Sequence, residues 1–276
     1  MAYSFIIFSL LCAFSNSLSD LFAKKTKKSS IIDIIFLRYS FSLIFVLILN
    51  LTIFNVDLKI PTNQSFWKLH FVWIPLEFLA IVFYLKSIKI SPLSLVSPLI
   101  GLTPLFLIFS AKVFINEKLN NNEILGIILI VLSSIFLIYG ENIREEKGIL
   151  YMTLVAFIYS FTSILVKTLL KFVSPFYFAF HYLFIMSIIS FFFWLKEGKK
   201  IFEKEVILSS IFFALMIIFN NIALKIGKVS TMIALKRSSI LWSVIIGGSL
   251  LKERKFLKRV FSSLFMLIGI LLISFG

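Results

Sequence analysis

Runs of about twenty apolar residues, nearly free of charge and separated by short clusters of lysine and arginine, follow one another along this chain. A run of that length crosses the hydrocarbon layer of a bilayer when wound as an α-helix. The apolar residues are consecutive and do not alternate with polar ones, which excludes a transmembrane β-barrel. A protein folding in water has no way to hide so much apolar surface. Composition agrees, with 60% hydrophobic residues, 34 Phe, a mean hydropathy of +1.04 and only 15% charged residues. A soluble domain carries about 25% charged residues. The fold class expected is all-α integral membrane, and a soluble enzyme, a disordered tail and a disulfide-linked secreted scaffold are excluded. Cys12 lies inside an apolar run with no second cysteine to pair with, and reads as a small buried side chain.

Charge clusters divide the chain into ten candidate spans, at 3–23, 31–54, 69–85, 91–114, 123–140, 148–166, 173–195, 206–224, 229–251 and 257–275. The connections are short and leave no room for a folded domain outside the membrane. The first span has neither the basic start nor the A-x-A site of a cleaved signal, so it is expected to remain. A net charge of +15 does not point to a nucleic-acid partner here, because the basic residues sit in scattered clusters and form no stripe. In a membrane protein such clusters orient the chain. Loops after odd-numbered spans hold 17 Lys and Arg, those after even-numbered spans 8, among them Lys59, Lys68, Lys112 and Lys118. The count puts the odd loops in the cytoplasm and both termini outside.

The two halves of the sequence resemble each other. Ala13-Phe14, Ser17, Lys24 and Tyr39 recur as Ala156-Phe157, Ser160, Lys167 and Tyr182, all at one offset of 143, and Arg38 falls opposite His181 in the same register. Further on, Leu85-Lys86, Lys89 and Ser91 recur as Leu224-Lys225, Lys228 and Ser230, and Glu117-Lys118 matches Glu253-Arg254. Five spans per half is an odd number, so the second half enters the membrane from the opposite face. Two five-helix repeats, 1–140 and 147–276, are expected to close around a central cavity, with the acidic linker Glu141 to Lys147 as their seam. Inverted repeats suit alternating access, since halves that exchange conformations expose a midplane site to each side in turn.

Two motifs stand out at the ends of spans 4 and 9. They are SPLSLVSPLIGLTPLFLIFSAKVFINEKL (91–119), with Thr103-Pro104 and Glu117, and ALKRSSILWSVIIGGSLLKER (234–254), with Glu253. With the span count and the repeat, they resemble the EamA-type branch of the drug/metabolite transporter superfamily over essentially the whole chain. The resemblance implies a multi-pass carrier of small metabolites in a prokaryotic cytoplasmic membrane. Its solute would often be an amino acid or another carboxylate-bearing compound moved outward, in a cavity lined by both halves. Members of that family commonly keep both termini in the cytoplasm, the reverse of the loop count. Lys236-Arg237 in span 9 with Lys167 in span 6 also resembles the phosphate-binding positions of sugar-phosphate translocators in the same superfamily. A phosphorylated solute is therefore the alternative.

Ionisable groups at bilayer depth are costly and usually face a partner or a wet cavity. Glu77, His181, Lys236 and Arg237 each fall about eight residues into spans 3, 7 and 9, which start from one face, so they are expected to share a layer. Lys236 and Arg237 would supply positive charge for a carboxylate or phosphate, Arg237 being the better bidentate clamp. Adjacent helical residues point about 100° apart, so only one of the two is expected to reach the cavity. Glu77 would balance the empty site or accept a solute amine or a proton; a buried pair that merely locks span 3 to span 9 is the structural alternative. Asn16, Asn220 and Asn221 are candidates for hydrogen bonding to solute or between helices. Tyr84, Tyr159 and Trp242 are candidate cavity walls. Arg38 is expected to meet Asp33, Asp20 or the solute, and His70 to lie at the interface. Lys112, Glu117 and Glu253 read as helix-end residues that snorkel or pair, and Pro92, Pro98 and Pro104 should kink span 4.

No catalytic set is recognisable, neither H-E-x-x-H nor clustered His, and no nucleotide-binding pattern suggests a pump. An intramembrane enzyme is the remote alternative. No cofactor or metal is called for; the expected partners are a small-molecule solute and the lipid bilayer.

Overall fold

The computed structural model describes residues 2–54, 61–107, 121–141, 143–227, 232 and 235–275, and these form helices joined by short turns, with no strand among them. Lys59, Lys112, Glu117, Lys118, Lys228 and Ser230 lie outside the described residues. In chain order the helices are α1 (Ala2–Lys25), α2 (Ile31–Leu49), α3 (Gln64–Ile90), α4 (Leu93–Leu99), α5 (Asn121–Ile138), α6 (Ile143–Leu169), α7 (Pro175–Glu197), α8 (Lys204–Ile226), α9 (Ser239–Ser249) and α10 (Phe256–Phe275). Seven of them are long and apolar enough to cross a membrane, and three shorter apolar helices, Leu93–Leu107, Ile124–Ile138 and Ser239–Ser249, occupy spans 4, 5 and 9 among the described residues. Large apolar side chains such as Phe71 and Leu51 point outward, as they must where lipid is the solvent.

Local chemistry explains where these helices begin. Ser30 caps α2 in a reciprocal box with Asp33, Asn63 accepts from Ser65 N ahead of α3, and Ser174 accepts from Tyr177 N where Pro175 opens α7. Span 4 is broken as its prolines require. The backbone tightens into a 3-10 turn at Ile100–Leu102, between Pro98 and Pro104. Pro104 has no N–H for the Ile100 carbonyl four residues back, and the Thr103 hydroxyl donates to that carbonyl instead, at 2.7 Å.

Two self-contacts mark the relation between the halves. Tyr39 and Tyr182, equivalent at offset 143, share a hydrogen bond between their hydroxyls at 2.7 Å. Gly126 and Gly269, at the same offset, bring α5 and α10 so close that a Cβ on Gly126 would stand 2.6 Å from the Gly269 carbonyl oxygen, and one on Gly269 2.7 Å from that of Gly126. Small residues allow such close approach between membrane helices. Such contacts between equivalent residues fit the two-repeat architecture. Equivalent lysines behave alike. Lys24 donates to the Ser91 carbonyl at the end of α3 (2.6 Å), and Lys167 to the carbonyls of Leu224 and Gly227 (2.7 Å for the second) at the end of α8. Each cation satisfies carbonyls that a helix end leaves open.

The ends of the bundle differ. At the end carrying the lysine-rich loops, three carboxylates reach from one half into the other. Glu203 accepts from the backbone N–H groups of Lys27, Lys28 and Ser29 and from the Ser29 hydroxyl, at 2.7–3.0 Å. Burial pushes this carboxyl up, but the four hydrogen bonds outweigh it and hold it down at about 2. Asp33 accepts from Trp194 Nε1 and Lys200 N, both at 3.0 Å. Glu253 accepts from the N–H groups of Leu93 and Ser94, capping the start of α4, where Pro92 offers no side-chain cap, and it pairs with Arg259 at 3.6 Å, the pairing expected of a helix-end residue. At the opposite end the halves meet through rings. Phe66, Trp67, His70 and Trp73 of α3 face Tyr177, Phe178, His181 and Tyr182 of α7, with His70 and His181 4.6 Å apart between centroids.

Candidate functional site

Between the halves lies a chamber of about 110 Å³, walled by α1, α2, α3, α6, α7, α8, the 3-10 turn of span 4 and the segment before α9. Drug-sized ligands occupy about 300–1,000 Å³, so this chamber as shaped suits a small solute and a few waters. Its polar lining includes Asn16, Arg38, Glu77, Tyr84, Tyr159, Thr162, Asn220, Asn221, Lys236 and Arg237.

Lys236 and Arg237 both reach it, against the expectation that only one would. The backbone leaves regular helix at Arg237–Ser238, so the 100° spacing of an unbroken helix does not apply. Each cation is held by a neutral acceptor. Lys236 Nζ donates to Asn220 Oδ1 at 2.8 Å, and Arg237 Nη2 to Thr103 Oγ1 at 2.8 Å, leaving Arg237 Nε buried without a partner. The Thr103-Pro104 motif thus acts at two removes: proline frees a carbonyl, threonine takes it, and the threonine oxygen anchors the arginine.

Glu77 stands across the chamber in mid-α3. Among the described residues no ion pair within 4 Å joins it to Lys236 or Arg237, so a locked α3–span 9 pair is not what the structure contains. The hydroxyls of Thr162 and Tyr182 face its carboxylate, and Lys236 lies within electrostatic reach. Arg38, placed by the sequence near a carboxylate or the solute, stacks its guanidinium 3.8 Å above the Phe213 ring and lines the chamber, with Nε and Nη1 unpartnered. Asp33 is engaged elsewhere, at the cap of α2 and with Trp194.

Six of the eight candidate solute residues, Arg237, Lys236, Glu77, Asn220, Tyr159 and Asn16, line this one chamber, as do Asn221 and Tyr84. His181 does not. Helix α3 starts at Gln64, five residues before the expected start of span 3, so Glu77 comes thirteen residues in and His181 only six into α7. At 1.5 Å per residue that places Glu77 about 10 Å deeper than His181, which instead faces His70. His70 itself is buried in that ring cluster. Trp242 is 42% exposed and meets Phe14 edge-on on the outer surface; the buried stripe of α9 runs through Ser239, Ser243 and Gly247 and leaves it toward lipid. Lys167 spends its ammonium on the end of α8 and does not line the chamber. Thr103, Thr162 and Tyr182 were not singled out as site residues by sequence. Two of them carried a signal, Thr103 in the Thr103-Pro104 motif and Tyr182 in its match to Tyr39; Thr162 carried none.

Fold and chamber together describe a helical membrane protein with a polar compartment lined by both halves. The model of the EamA-like transporter family matches residues 3–139 and again 146–275, and the chain belongs to that family. It is a multi-pass membrane transporter. One solved structure, described only as "Crystal structure of protein", is similar over 98% of this chain and 95% of its own, with a TM-score of 0.68 at 12% identity, a likeness of fold alone. No curated protein matches the sequence.

Proposed function

We propose that the chain carries a small zwitterionic or carboxylate-bearing metabolite, such as an amino acid, by alternating access. The observation that supports this most is a chamber with two cations on one wall, Lys236 and Arg237, and a carboxylate on another, Glu77, with no ion pair between them. Unpaired charges at bilayer depth are expensive, and a guest with complementary ends relieves both. The solute carboxylate takes the two cations, with Arg237 pre-aimed by Thr103. Its ammonium takes Glu77. Lys167, the third cation of the sugar-phosphate pattern, is committed elsewhere, which argues against a phosphorylated solute.

The unequal ends support alternating access: carboxylates hold one end, aromatic and imidazole rings the other, and the chamber sits between. The test is a thermal-shift screen of purified protein against amino acids and organic acids, followed by uptake into proteoliposomes. Ligand at 100 times Kd stabilises by about 2.7 kcal/mol. Arg237→Ala should stay folded, lose that stabilisation and abolish transport. Lys236→Ala should weaken both less. Unchanged stabilisation and uptake in Arg237→Ala would overturn the assignment.

A further inference from the structure

One buried carboxylate plays no part in that reading. Asp20, in α1, is fully enclosed and stands just behind the chamber wall formed by Asn16 and Tyr84. Its Oδ2 accepts from the Tyr84 hydroxyl of α3 and from Asn16 Nδ2 at 3.1 Å. Its Oδ1 has no partner. The charged groups facing it are Arg38 of α2 and Lys236 ahead of α9. Neither forms an ion pair with it: Arg38 lies on the Phe213 ring and Lys236 donates to Asn220. A carboxylate kept only as a structural ion would be expected to have all its lone pairs satisfied and a cation in contact. Asp20 has neither, yet it is wired to the chamber by one hydroxyl.

We propose that Asp20 is a proton-binding site, loaded from the chamber through Tyr84. A hydronium in the chamber gives a proton to the Tyr84 oxygen and becomes water as the Tyr84 O–H proton passes to Asp20 Oδ2; the tyrosine ends neutral and the carboxylate becomes a carboxylic acid. With Asp20 neutral, Arg38, Lys236 and Arg237 face Glu77 alone. The chamber then carries one more uncompensated positive charge and binds a carboxylate better, so proton and solute move in the same direction. This coupling rests on the reading of the chamber as the solute site; the proton site itself does not.

The experiment needs no identified solute. Infrared difference spectra of the full-length protein in lipid, titrated between about pH 4 and 9, should show a protonated-carboxyl band that is lost in Asp20→Asn and kept in Glu77→Gln. Tyr84→Phe keeps the ring and removes only the hydrogen bond, so the band should persist at a shifted frequency; this variant answers the question even if Asp20→Asn fails to fold. A titrating band unchanged in Asp20→Asn, or unmoved in Tyr84→Phe, overturns the proposal. Failure of the solute reading would show instead in the Arg237→Ala ligand shift and leave this band untouched.

Discussion

The lysine-rich end of the bundle and the end opposite it close by different chemistry. At the first, α2 and α8 approach closely enough for the Ser42 hydroxyl to donate to the Ser210 carbonyl at 2.7 Å, with both serines fully buried, and loops from each half are pinned by Glu203 and Asp33 of the other. At the second, α3 and α7 are bridged by large rings, Trp73 on Tyr182 at 5.1 Å and His70 on His181. The repeat makes the contrast instructive. The position equivalent to Ser42 at offset 143 is Ile185, and that equivalent to Arg38 is His181. Small side chains permit one pair of helices to meet backbone to backbone, while bulky ones hold the other apart. The two ends of the bundle thus differ through a difference between matched residues.

Breaking the ring-filled end should have the largest effect. Trp73→Ala removes the buried ring that bridges α3 to Tyr182 and should cost about 3–5 kcal/mol, read as a fall in melting temperature. In a Cys12→Ser background it should also open a cysteine placed by Thr162→Cys, on the chamber wall, to reagents added from that end. No change in labelling would mean the rings are not the barrier. Next comes the serine crossing. Ser42→Leu forces a side chain into a contact with no room for it and should cost about 1–3 kcal/mol. The same reporter should become accessible from the lysine-rich end, and access from the ring end alone would contradict the assignment.

The smallest effect is that of pH on the carboxylate clamp. Glu203 is held near 2 when folded and near 4.3 when unfolded. A depressed folded value contributes stability above the unfolded value and loses it as pH falls toward the folded one. Acidification from pH 7 to 5 should therefore leave the lysine-rich end shut. Loosening should begin only below about pH 4, and Glu203→Gln should abolish that acid response. A Glu203-dependent opening already at pH 5 would show that the four hydrogen bonds do not hold this carboxylate as described.

Much of the candidate site was legible because polar residues are rare in an apolar sequence and each has to be accounted for. Glu77, Lys236, Arg237, Asn16 and Asn220 stand out against their neighbours, and all line the chamber. Asp20 was as conspicuous but was considered only as a partner for Arg38; nothing in the order of residues shows that Tyr84, sixty-four positions away, donates to it. Trp242 was lost among many aromatics, since a ring's identity does not say which way it faces. The Gly126–Gly269 crossing lay in plain view at the offset of the repeat, yet an isolated glycine in an apolar run carries no signal of its own.

Sequence alone determined that the chain is a helical membrane protein with a duplicated plan, because bilayer thickness and backbone hydrogen bonding leave apolar segments no other choice. Tertiary structure decided which polar side chains meet. Their depth depends on where each helix starts, as for Glu77 and His181, and their direction on local breaks, as at Pro98–Pro104 and Arg237–Ser238. Each residue of shift turns a side chain by about 100° and moves it 1.5 Å. Such shifts are set by contacts between helices, and no single helix carries that information.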